Sequence, residues 1–211
     1  LLNIVNSVEE GLIQEDGDQD DDGESERGDP LLYFYEDFLD SYDPELRKNR
    51  GVYYTPQPVV NLQTRAVNHL LQDRFNRRYG FADEEVHTLD PAVGTGTYLI
   101  SALEKGADRI EEGMGSSAVP DVADDIAKRL NGFEKLVGPY SVAHFRLAAS
   151  IENLGGEIEE QLPIILTDTL DPAPEQPDFD SGFSFMSEPI TEERERGDQV
   201  KRHEPVMAIL G

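Results

Sequence analysis

Cysteine and tryptophan are absent from the 211-residue chain, and histidine occurs only at positions 69, 87, 144 and 203. The first absence removes disulfides and thiolate metal sites. The four histidines have no metal-ligand spacing, so no metal centre is expected. Basic residues are scarce: 5 lysines and 13 arginines stand against 44 acidic residues, for a formal charge of −26. Such a surface repels nucleic acid at ordinary salt. Contact with a polyanion then requires concentrated salt, where the Debye length falls to about 3 Å, or a basic region elsewhere in the polypeptide. The first option points to a salt-loving source. Long apolar runs are also missing. Nothing approaches the length of a membrane span, and the N-terminus lacks the basic-then-apolar order of a signal peptide, so a cytoplasmic protein with no membrane contact is expected. The length suits one domain with appendages or a portion of a longer chain, and the expectation is the latter.

Residues 14–29, "QEDGDQDDDGESERGD", are too acidic and too poor in apolar side chains to fold alone, and 1–29 as a whole reads as a flexible acidic linker. Asp18, Asp20, Asp22, Gly23 and Asp29 approach a calcium-loop pattern. The last ligand is Asp rather than Glu, Ser25 stands where an apolar residue belongs and no amphipathic helix flanks the tract, so coincidence is the better reading. Composition changes at Asp29. Leu31, Phe34, Tyr35, Phe38, Leu39 and Tyr42 fall at helical spacing and read as a core stripe rather than a base-stacking surface. Val59, Leu62, Ala66 and Leu70 mark a second helix, with Thr55 as its cap and Pro56 at its first position. Residues 30–80 thus form an N-terminal helical region.

From residue 81 onward strands and helices alternate. Strands are expected at 86–90, at a short segment ending with Gly132–Glu134, at 162–168 and at 204–210; helices at 97–112, 121–130 and 139–150. The segment 171–203, rich in Pro, Gly and acid, reads as a long loop. This order predicts an α/β fold with a mainly parallel sheet.

In open parallel sheets ligands bind beyond the carboxyl ends of the strands, where a glycine turn lets the backbone approach closely. Asp90-Pro91-Ala92-Val93-Gly94-Thr95-Gly96 occupies such a place. A phosphate site would aim bare amides at an anion, and an Asp at the strand end opposes that charge; the P-loop lysine is missing as well. A ligand with an ammonium and a sulfonium group, and no phosphate, welcomes the acid. S-adenosylmethionine is such a ligand. Glu134, ending the next strand, can accept from two ribose hydroxyls, and Asp168, following "IILT", from the adenine amine. Thr55 offers a hydroxyl and a positive helix end to the methionine carboxylate. Taken singly, each is also an ordinary turn former, strand-end acid or helix cap; the ordered set carries the reading.

"RGVYYTP", "LDPAVGTGTYL", "GFEKLVGPYSVAHFRLA" and "LPIILTDTL", in this order, resemble the cofactor motifs of adenine-specific DNA methyltransferases of the gamma arrangement, in which the carboxylate-binding motif precedes the glycine motif. The wording is most similar to the methylase region of large single-chain restriction-modification enzymes. The resemblance covers about residues 30–211. It implies a Rossmann-like S-adenosylmethionine-dependent methyltransferase fold, with 81–211 as the cofactor-binding half. It assigns cofactor roles to Tyr54, Thr55, Asp90, Ala92, Gly94, Thr95, Gly96, Glu134 and Asp168. The Asp90-to-Glu134 interval is long for a strand-helix-strand unit, and an inserted helix at 121–130 accounts for it.

The resemblance also implies an Asn-Pro-Pro-Tyr segment after the strand "PVMAIL", so no catalytic residue is expected before Gly211. This portion alone is expected to bind cofactor without transferring methyl groups, and to expose Val206–Leu210 at a sheet edge. Implied partners are double-stranded DNA, met through downstream regions, and helicase or nuclease and target-recognition parts on the same polypeptide. Arg47, Lys48 and Arg50, and Arg74, Arg77 and Arg78, are the tight basic clusters for phosphate contact or for local ion pairs. Two other readings stay open: a methyltransferase acting on RNA, protein or a small molecule, and a non-catalytic scaffold of the same fold.

Overall fold

Four short parallel strands set the architecture: β1 (His87–Asp90), β2 (Leu130–Glu134), β3 (Ile164–Leu166) and β4 (Val206–Ile209), in the spatial order β3-β2-β1-β4. In register, Asp90 stands opposite Gly132, and Glu134 opposite Leu166. Parallel strands need crossovers, and helices supply them. Helix α1 (Gln57–Phe75) precedes β1, α2 (Thr97–Met114) and α3 (Val119–Ala127) lie between β1 and β2, α4 (Val137–Asn153) joins β2 to β3, and α5 (Ser184–His203) leads into β4. This computed structural model describes residues 55–158, 160–170 and 184–211, without the side chains of 184–191. All of these lie in one compact unit, Val52–Gly211. The acidic linker 1–29 with its calcium-like pattern, the aromatic stripe from Leu31 to Tyr42, the cluster Arg47, Lys48 and Arg50, and Tyr54 fall outside the described residues.

The main core joins Val60 and Leu71 of α1, Leu99, Leu103 and Ile110 of α2, Ile126 of α3, Leu147 and Ile151 of α4, and Leu130 and Ile164 of the sheet. Phe133 and Ile165 face the other way, against Val200 of α5. Helix α3 is the insert that lengthens the Asp90-to-Glu134 interval.

Two local expectations are corrected. The apolar positions used to locate α1 are not its buried face: Val59, Leu62 and Leu70 are 41%, 69% and 47% exposed, while Val60, Thr64 and Leu71 are buried. Apolar residues recur on two faces of this helix, and contact with α2, through the 3.0 Å Thr64–Ser101 hydroxyl pair, selects one. Its start also shifts: Pro56 occupies the cap position, with no side-chain cap bond.

The second correction concerns 171–203, read as a loop: residues 184–203 form α5. Glycine disfavours a helix interior by local preference, but a Cβ at Gly197 would lie 3.3 Å from Thr167 Cγ2 and 3.5 Å from Ile165 Cγ2, so glycine lets the helix press against β3. The helix also covers the strand's outer edge, which would otherwise leave polar groups unpaired. Leu166 N donates to Glu193 Oε2 at 2.8 Å, and Arg196 donates to Leu162 O at 3.0 Å. His144 of α4 meets Ile164 O at 3.1 Å.

Candidate functional site

Because the four strands are parallel, their carboxyl ends share one rim, and the turn after β1 sits on it. Gly94 and Gly96 have φ of +55° and +88°, which β-carbon-bearing residues rarely adopt. The turn is pinned to β2: Val93 N donates to Phe133 O at 2.9 Å and Gly94 N to Glu134 Oε2 at 3.0 Å. Gly132 makes this approach possible, since a Cβ there would stand 2.9 Å from Val93 Cγ2 and 3.0 Å from Leu99 Cδ1. A Cβ on Gly96 would lie 3.4 Å from Ala143, so the loop also rests on α4. Beneath it, the buried Arg146 of α4 donates to Thr95 O at 2.6 Å, Thr95 Oγ1 at 3.1 Å and Thr97 Oγ1 at 3.2 Å.

Asp90 is 1% exposed and accepts from Ala92 N at 3.0 Å. Burial pushes its carboxyl up to about 7, opposed by the Ala92 hydrogen bond and reinforced by the Glu134 charge. Glu134 is also raised by burial, while amides of Leu136, Gly94 and Lys135 counteract. Its Oε1 accepts from Lys135 N at 2.8 Å and Leu136 N at 2.7 Å. With the Gly94 bond, three of about four lone-pair sites on this carboxylate are used, leaving one on Oε2. Among the described residues, no lysine or arginine forms an ion pair with Asp90 or Glu134.

Asp168, two residues beyond β3, is engaged differently. Lys135 Nζ lies 2.5 Å from its Oδ2, Leu170 N donates to Oδ1 at 3.0 Å, and the lysine contact holds the carboxyl below its ordinary range. The neighbouring Thr169 hydroxyl donates to Pro91 O, fastening this segment to the turn after β1. Thr55 precedes α1, which meets this rim where the Tyr98 hydroxyl donates to Gln63 Oε1; burial, and next the Asp90 charge, raise the Tyr98 pKa. Asp90, Ala92, Gly94, Thr95, Gly96, Glu134 and Asp168 are thus linked through one set of contacts, while Thr55 stands two residues before α1.

Sequence reasoning missed four contributors. Tyr98, Gly132, Lys135 and Arg146 all lie inside the quoted motifs. Arg146 carried a visible signal as a charged residue in an otherwise apolar run, "VAHFRLAASI". Of the basic cluster 74–78, Arg77 is taken up by Glu85, with Asp83 at 3.9 Å, and Arg78 lies 5.5 Å from the Tyr79 ring centre.

The model of the family described as N-6 DNA methylase matches residues 27–180, well over half the chain. The chain belongs to the N-6 DNA methylase family. Solved structures share its fold. The cryo-electron microscopy structure of a DrdV–DNA complex is 28% identical with a TM-score of 0.62, covering 85% of this chain and 16% of that one. An ATP-dependent Type ISP restriction-modification enzyme, LlaBIII, bound to DNA is 23% identical at TM-score 0.62, over 85% of this chain and 12% of that one. A nuclease-deletion mutant of the Type ISP enzyme LlaGI, in complex with a DNA substrate mimic, is 21% identical at TM-score 0.60, over 98% and 17%. The last two identities support the fold alone. This member of the N-6 DNA methylase family therefore spans less than a fifth of each of these longer chains. No curated protein matches it.

Proposed function

We propose that this chain is the S-adenosylmethionine-binding portion of an adenine-specific DNA methyltransferase in a restriction-modification or related defence protein. The observation that carries the reading is the pair of carboxylates bordering the glycine turn, Asp90 buried and Glu134 half-buried, neither of which is ion-paired among the described residues. Burying uncompensated charge is costly, and a cationic ligand offsets that cost where a phosphate would add to it. The donor set fits this cofactor. Asp90 holds the ammonium group, Glu134 accepts from ribose hydroxyls, and Thr55 with the start of α1 receives the carboxylate. Ala92 and Gly94–Gly96 let the nucleoside approach the backbone. Asp168 accepts from the adenine amine once Lys135 has moved off it.

When bound, the cofactor supplies a methyl carbon on a positively charged sulfur. The target base must leave the duplex to reach such a site. The family resemblance assigns the acceptors for its amine hydrogens to an Asn-Pro-Pro-Tyr segment following β4. A Cβ built at Gly211 would lie 3.3 Å from Asp90 Oδ1, so residues following that strand meet the same rim. DNA contact, target recognition and motor or nuclease parts belong, in this reading, to the longer polypeptide. Among the described residues no helix is long and apolar enough to cross a membrane.

Titration calorimetry with S-adenosylmethionine in concentrated salt tests the proposal. Saturable heat in the wild type, lost in Asp90→Ala, is expected. A flat trace from well-folded protein would leave a scaffold role as the surviving reading.

A further inference from the structure

Lys135, one of 5 lysines in the chain, directly follows Glu134, and its ammonium lies 2.5 Å from Asp168 Oδ2. Both partners are placed from several sides. Lys135 N donates to Glu134 Oε1 and Thr167 N to Glu134 O, each at 2.8 Å, so the ends of β2 and β3 keep one spacing. Asp168 O accepts from Lys201 Nζ of α5 at 2.9 Å, Leu170 N holds Oδ1 at 3.0 Å, and the next residue, Thr169, is fastened to Pro91 O. Oδ2 is thereby the oxygen turned to Lys135. The Lys135 side chain is 69% exposed, so its ammonium can swing while its backbone stays fixed. An exposed pair of this kind adds little stability; its chemistry says more. It sets a donor beside an acceptor, at the place where a base lies if its ribose sits on Glu134. Adenine carries the matching groups, an amine that donates beside a ring nitrogen that accepts. A 6-oxo purine has an acceptor in place of the amine, and a carboxylate opposes it.

Building on the cofactor reading above, we propose that Lys135 is a specificity-determining residue: its ammonium, displaced from Asp168 Oδ2 by the incoming amine, donates to the ring nitrogen beside that amine, so that Lys135 and Asp168 together select a 6-aminopurine nucleoside. The sign of a substitution separates this role from a simpler one. A lysine that merely covered Asp168 would compete with the base, and its removal would tighten binding. A lysine that reads the base costs affinity when it is removed.

The test titrates the full chain in concentrated salt with four ligands: S-adenosylhomocysteine, its 6-oxo counterpart S-inosylhomocysteine, and its 1-deaza and 7-deaza counterparts, in which one ring nitrogen is replaced by C–H. The wild type is expected to bind the 6-oxo compound more than about tenfold more weakly than S-adenosylhomocysteine. It should bind one deaza compound about fivefold more weakly, the scale of an exposed hydrogen bond from a charged group. Lys135→Met, a change at an exposed side chain that the fold tolerates, should bind S-adenosylhomocysteine about fivefold more weakly and no longer distinguish it from that deaza compound. Tighter or unchanged binding of S-adenosylhomocysteine by Lys135→Met overturns the proposal and leaves the cofactor reading intact. So do deaza penalties that all survive the substitution, and so does a wild type that ignores both ring nitrogens or binds the 6-oxo compound equally well. A wild type that binds none of the four overturns the cofactor reading and this inference together.

Discussion

Asp90 concentrates the chemistry of this chain in one side chain. Its carboxyl sits at about 7 in the fold against an ordinary 3.8, because burial penalises the charged form. Between those values the folded protein holds a proton that the unfolded chain has released. Folding stability therefore falls as pH rises from about 4 to about 7 and is level above that. A cationic ligand needs the ionised form, so cofactor affinity is expected to rise across the upper part of that window and flatten near pH 8. Asp90→Asn should bind at least about tenfold more weakly at pH 8, since about 1.4 kcal/mol of lost charge interaction already suffices. Its affinity should vary less with pH than that of the wild type, with Glu134 still titrating, and its Tm should exceed that of the wild type at pH 8, with the gap closing towards pH 4. Calorimetry and melting curves over a pH series check all three. A wild-type affinity independent of pH would remove Asp90 from the ammonium site.

At the scale of elements, the site depends on how closely the turn after β1 lies on β2. Gly132 controls that distance, and its replacement by Ala would place a methyl group 2.9 Å from Val93 Cγ2. Overpacking of this kind costs about 1–3 kcal/mol, and displacement of Gly94 also breaks the 3.0 Å bond to Glu134. Gly132→Ala should thus lower both stability in chemical denaturation and cofactor affinity in the same preparation. Unchanged affinity would mean that the turn does not rest on β2. Much of this layer was legible in the chain: the four strands and α2, α3 and α4 follow from apolar patterning and turn residues. Helix α5 was not, because Gly197 marks a break by local preference and a close approach to β3 only once the strand is in place. The inward face of α1 was equally hidden, since Val59 and Val60 are alike in hydrophobicity and differ only in which one meets α2.

For the whole molecule, a charge of −26 on 211 residues is the dominant fact. Several ion pairs, such as Lys105–Asp108, Arg109–Glu112 and Arg202–Asp198, are local helix pairs. Exposed pairs of this kind contribute about 0–1 kcal/mol each, too little to offset the repulsion among the remaining carboxylates. Salt screens that repulsion, so Tm is expected to rise steadily between about 0.1 and 2 M KCl, with the Debye length falling from about 10 Å to below 3 Å. Among the described residues, β4 lies at the end of the four-stranded sheet with Ile209 exposed, and association through it at low salt is expected. Light scattering and melting curves over the salt series check both. A Tm that falls with salt would show that ion pairs, rather than repulsion, govern stability.

The order of the motifs, the alternation of strand and helix and the placement of acids at strand ends are properties of the linear chain, because backbone geometry and turn chemistry act over a few residues. That order was enough to indicate a parallel sheet and a candidate set of cofactor contacts. Only the tertiary structure decided that Asp90 and Glu134 border one turn, that Lys135 already holds Asp168, and that Tyr98 reaches across to Gln63 of α1. These are contacts across 33 to 44 residues of sequence, set by how the helices and strands pack, and no local pattern encodes them.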